Sequence, residues 1–210
     1  MKRSILTASV VVFLLCFSVA ANAAARSAQS GGDSAQIDGI TNQVVGQLWD
    51  RTDYYWHRGD YPRIVALDRI ITQADPHFLE PYATGGWLLE SMGDNKDAEA
   101  YYKQGIANNP NRSYMYYSLG FFYYNTLHNY PKAVSTFQKD VKVADADVND
   151  WKMLAHSYEH IGRIDDAVDA WKVIKHRYPT APAVDYNLNK DLKLQAARKA
   201  APGPQASAAR

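Results

Sequence analysis

Three glycines, Gly59, Gly93 and Gly162, stand 34 and 69 residues apart, and three prolines, Pro76, Pro110 and Pro179, repeat those two intervals. The longer interval is one unit of 34 plus one of 35. Two residue types agreeing on one period constrain the chain more than any local signal, because a repeat of this length means stacked supersecondary units. No such unit buries its apolar face alone. The stack must supply the core, and its extended surface serves mainly for binding.

The ends of the chain read differently from its middle. Lys2 and Arg3 precede an apolar run of 16 residues, Ile5 to Ala20, followed by Ala21-Asn22-Ala23. This is the layout of a secretory signal, with cleavage expected after Ala23 and Ala25 as the alternative site. An uncleaved anchor is the competing reading, but the run is short beside the roughly 20 residues of a membrane span. The expected location is periplasmic or secreted, with no membrane attachment after cleavage. Removing residues 1–23 takes away two of the 23 basic residues and none of the 22 acids, so the charge shifts from +1 to −1. No basic stripe remains for nucleic acid. Cys16, the one cysteine, leaves with the signal, which excludes disulfides and thiol chemistry in the mature chain. Residues 24–37 read as a flexible Gly/Ser-rich linker and residues 195–210 as a disordered Ala/Pro/Gly-rich tail.

Between them, residues 38–194 carry helical periodicity. Trp151, Leu154, Ala155 and Tyr158 fall on one helix face. Gly162 ends that helix and a second follows, with Ala167, Trp171 and Ile174 inward and Pro179 closing it. Tyr82, Gly86, Ala98, Tyr102, Gly105 and Pro110 repeat the scheme. So do Tyr116, Leu119, Gly120, Tyr123, Ala133 and Phe137, with one extra residue expected between Asn125 and Tyr130. The earliest unit keeps Tyr55, Gly59 and Pro76 but carries Arg51, Thr52 and Asp68 at core places. This pattern resembles the tetratricopeptide repeat (TPR) family, whose units pair W-x2-L-G-x2-Y with A-x3-F and close on Pro. The resemblance implies an all-α solenoid of helical hairpins. Its repeats are expected at about 45–78, 79–112, 113–147 and 148–181, with a capping helix at 182–194.

In TPR proteins the first helices of successive repeats line a concave groove. Opposite the core face of the fourth repeat lie Lys152, His156, Glu159 and His160. Subtracting 35, then 34, then 34 carries each position into the earlier repeats. The expected groove then holds Trp49, Asp53, Trp56, Trp87, Glu90, Tyr117, Phe121 and Tyr124 beside those four. Six are large aromatics at places the core does not require, the mark of a binding surface. A protein or peptide partner fits best. A cell-wall glycan stacked on the rings is the alternative. The Lys and Asn side chains with which some TPR domains clamp a terminal carboxylate are replaced in the first repeat by Trp49 and Asp53.

Three short motifs compete with this reading. His156-Ser157-Tyr158-Glu159-His160 spells H-x-x-E-H, a zinc-peptidase pattern, but it lies inside a repeat helix. A hydrolase built on it is the least favoured alternative, and no catalytic residue, metal or cofactor is expected. Arg58-Gly59-Asp60 fills a repeat turn, and Asn111-Arg112-Ser113 is a glycosylation sequon of no consequence behind a bacterial signal.

Overall fold

The computed structural model describes residues 35–200. The signal reading at 1–23, most of the linker and residues 201–210 lie outside the described residues. The chain divides into two compact units between Arg51 and Thr52. Helix α1 spans 35–56, so its start at 35 falls within the segment expected as linker. In the first unit α1 exposes Ile37, Ile40 and Val44 and buries Val45.

The second unit is a run of helical hairpins: α2 (Tyr61–Ala74), α3 (Leu79–Ser91), α4 (Asn95–Asn108), α5 (Ser113–Phe121), a π-helical turn (Phe122–Thr126), α6 (Tyr130–Asp140), α7 (Val148–His160), α8 (Ile164–Arg177) and α9 (Val184–Ala200). Among the described residues there is no strand. Each helix packs on the next, and α3 also touches α5, as α5 touches α7, so the first helices of successive repeats stand side by side. Helix α9 covers α8. It runs on to Ala200, past Leu194, where the sequence places the start of a disordered tail.

The repeat signature maps onto the core. Ala98, Ala133 and Ala167 are fully buried, and so are Phe137 and Trp171 four residues after two of them. Close approach explains the small residues: a Cβ on Gly86 would collide with Tyr102 Cε1, and one on Gly120 would lie 2.7 Å from Phe137 Cε1. At the degenerate first repeat Thr52 and Asp68 do occupy buried positions. Asp68 is fully enclosed, with no hydrogen-bond partner on either oxygen. Trp151, expected inward, is only partly buried, and the Arg177 guanidinium lies over its ring.

The turns follow one rule with one exception. Gly59, Gly93 and Gly162 take φ of 66°, 87° and 74°. The next N–H in each case donates to a carbonyl five residues back: Asp60 to Tyr55, Asp94 to Leu89 and Arg163 to Tyr158. His128, at φ 49°, fills this place in the third repeat. There Asn129 N–H reaches six residues back to Tyr123, and Leu127 N–H bonds Phe122 across a π turn. The extra residue is therefore wound into the helix between Tyr123 and His128, not looped out between Asn125 and Tyr130.

Candidate functional site

The twelve expected groove residues fall into separate groups. At one end, Trp56 closes α1 and Trp87 stands on α3, their rings 5.9 Å apart with 42% and 48% of their surface exposed. Tyr61, on the first residue of α2, packs edge-on against Trp56 at 5.7 Å. Asp53, one turn earlier, is exposed and 3.5 Å from His57 Nε2. Trp49 lies in the first unit and is partly buried.

The middle group lies on α5. Tyr117 and Phe121 are stacked, with ring centroids 6.0 Å apart and planes within 10°. Phe121 is 40% exposed, while Tyr117 also leans on buried Phe137. Tyr117 continues into a cleft of about 360 Å³ lined by Ser113, Tyr114, Asp145, Asp147, Asn149 and Asp150. Burial and the fields of Asp150, Asp147 and Asp140 push the Tyr117 phenol up. Tyr114 was not among the expected residues. The periodic signal for it existed: Asn149, Tyr114 and Glu80 form one more series at 35 and 34, one turn before Lys152.

At the far end the side chains are occupied with each other. The Tyr124 hydroxyl and His160 Nε2 are 2.9 Å apart, and Tyr130 stacks on the His160 ring at 4.0 Å. His156 Nδ1 sits 3.4 Å from Glu159 Oε2, and its ring packs edge-on against Trp171. Trp171 Nε1 donates to Glu159 Oε1 at 3.1 Å, and Lys190 Nζ donates to Oε2 at 2.8 Å. Burial pushes the Glu159 carboxyl up, but the hydrogen bonds from His156, Lys190 and Trp171 outweigh it and hold it down at about 2. Lys152 is partly buried. Among the described residues no three His, Cys, Asp or Glu side chains are arranged to hold a metal. The side chains of the H-x-x-E-H stretch are engaged with their neighbours: His160 with repeat three, His156 with Trp171, and Glu159 with Trp171 and Lys190 of α9.

Glu90 plays the part in repeat two that Glu159 plays in repeat four. It accepts from the hydroxyl of Tyr102 at 3.5 Å, and Thr126 Oγ1 donates to its other oxygen at 2.9 Å. In both repeats the acid lies twelve residues before the buried aromatic of the second helix. In repeat three that aromatic is Phe137, which has no polar atom, and no acid is found opposite it. These two carboxylates thus satisfy buried rings, while Trp56, Trp87 and Phe121 face solvent.

No family model and no curated protein sequence matches the chain. Solved structures do resemble it. The MamA protein superposes with a TM-score of 0.59 at 17% identity, covering 74% of this chain and 84% of MamA. YrrB, described as a TPR protein with an unusual peptide-binding site, gives 0.54 at 15% identity, covering 70% and 76%. TTC0263, a thermophilic TPR protein of Thermus thermophilus, gives 0.52 at 16% identity, covering 70% and 80%. Together with the hairpin order and the buried small-residue and aromatic positions, these likenesses show that the chain adopts the tetratricopeptide-repeat fold.

Proposed function

We propose that this protein is a non-enzymatic interaction scaffold, exported to the periplasm or cell envelope, that holds a peptide or partner protein along its exposed aromatics. The observation that carries the reading is the Trp56–Trp87 pair, in ring contact yet more than 40% exposed on each side. Isolated exposed aromatics are ordinary. Contiguous ones on a rigid repeat surface are what interfaces are built from. That YrrB, of the same fold, has a peptide-binding site supports this use of the scaffold. Replacing Trp87 and Phe121 together with Ala is expected to abolish partner capture from envelope extracts without changing the far-UV circular dichroism. Unchanged capture by the folded double variant would overturn the reading.

The same indole pair favours one second reading, an envelope glycan, since flat exposed rings stack on sugar faces. Co-sedimentation with purified wall polymer separates the two: the glycan reading requires binding that the double variant loses. Export is read from residues 1–23, and the mass of the protein recovered from the envelope fraction tests it.

A further inference from the structure

We propose that α9 is a pH-gated cap: a proton held between Asp191 of α9 and Glu159 of α7 keeps it seated on repeat four, and loss of that proton lets it open. The proposal concerns the stack alone and does not rest on the scaffold reading.

The seat of α9 is small, and one of its members is an acid. The buried residues of the helix are Val184, Leu188 and Asp191. Asp191 is fully enclosed, and neither of its oxygens accepts a hydrogen bond. The titratable groups around it come from every helix packed there. From α7 come Glu159, largely buried, and His156, whose Nδ1 lies 3.4 Å from Glu159 Oε2. From α8 comes Trp171, which turns its Nε1 to Glu159 Oε1. On α9 itself Lys190 Nζ lies 2.8 Å from Glu159 Oε2 and 3.7 Å from Asp191 Oδ1. Tyr124 of the third repeat stands within the fields of Glu159 and Lys190. The remaining polar contacts of α9 are exposed and lie to either side of Asp191: Asp185 with Lys175, Gln195 with Asp165, and Arg198 with the Gly162 carbonyl. One ammonium thus serves two enclosed carboxylates, and its hydrogen bond goes to Glu159.

An enclosed carboxyl without donors is tolerated when it keeps its proton, and beside a second carboxylate that proton has an acceptor. Burial, and next the Glu159 carboxylate, push Asp191 from 3.8 up to about 6. Glu159, held down at about 2, stays ionised and accepts the hydrogen bond. Opening α9 returns Asp191 to water, where it releases its proton above about pH 4. Its contribution to seating the helix is therefore fully present below about pH 4 and is lost as pH rises through about 6. Above that, two like charges face each other across the contact and oppose the apolar hold of Val184 and Leu188. Opening uncovers the face of α8 that carries Trp171 and Ile174.

The test follows amide exchange in the full chain at pH 5 and pH 8, expressed as protection relative to the intrinsic rate at each pH. Protection across 184–191 should fall about tenfold between the two, beyond any fall in α3 and α4, which report a global loss such as that from Asp68. Asp191→Asn puts a neutral donor where the protonated acid stands, so it should keep α9 protected at both pH values with no excess fall. His156→Gln should retain the excess fall, because the imidazole is not the gate. The cap is not gated in this way if the parent shows no excess fall, if Asp191→Asn shows the same fall or loses α9 protection already at pH 5, or if His156→Gln abolishes the fall.

Discussion

Asp68 is a carboxylic acid enclosed in the core with neither oxygen hydrogen-bonded. It sits on α2 with α3 pressed over it; a Cβ on Gly85 would lie 3.2 Å from Asp68 Oδ2. Burial pushes its carboxyl from 3.8 up to about 8. The folded protein then keeps a proton that the unfolded chain releases above about pH 4. Its contribution to stability is therefore fully present below about pH 4 and declines as pH rises toward 8. Asp68→Asn keeps the shape and removes the titration. The midpoint of urea unfolding should fall between about pH 5 and pH 8 in the parent and fall less in the variant. Equal falls would place the burial cost elsewhere. The slot itself was legible: counting by 34 marks residue 68 as a core place with the wrong residue type. That the carboxyl stays inside was not legible, since an acid in a core slot can equally turn outward when its helix is terminal.

At the scale of the element, the third repeat shows where periodicity stops informing. Three glycines announce the left-handed turn, and the fourth turn is hidden because His128 occupies it at φ 49°. A histidine carries no turn signal, so the sequence shows only that a residue has been added, not where. The chain resolves the addition by widening the end of the helix at Phe122–Thr126 into a π turn, which keeps the backbone bonded. One product is Thr126 Oγ1 reaching Glu90 Oε2 on the neighbouring repeat. A residue with a Cβ in the left-handed region loses about 1–2 kcal/mol relative to glycine, somewhat offset by the freer unfolded state of glycine. His128→Gly should thus raise the unfolding free energy by about 1 kcal/mol in urea melts. A decrease would mean that the histidine ring, which lies 6.2 Å from Tyr130, holds the turn by more than its backbone costs. For the residues expected to line a groove, the spacing was informative about position alone. Constant spacing found Trp56, Trp87 and Phe121, which are exposed. It could not tell that Glu90 and Glu159 turn to Tyr102 and Trp171, because spacing locates a Cα and hydrogen bonding aims the side chain.

At the scale of the whole repeat unit from Thr52 onward, each hairpin meets its neighbours and little else, so stability should be carried locally, repeat by repeat. The exposed flank of the last hairpin is closed by α9, which buries Val184 and Leu188 and sends Lys190 to Glu159. Each of those two apolar side chains is worth roughly 1.5–3 kcal/mol when fully buried. Without α9, Trp171 and Ile174 lose cover, and Glu159 keeps its buried setting but loses its cation. A chain ending at Ala181 should accordingly lose amide-exchange protection in α7 and α8 while α3 and α4 exchange at the rate of the full chain. The gradient is the informative result: a stack of nearest-neighbour units frays from its uncapped end, so protection should recover within about one repeat of the cut. Uniform loss from α3 to α8 would instead make the unit one cooperative block. The aromatic pair at Trp56 and Trp87 would then depend on α9 despite lying at the opposite end of the repeats.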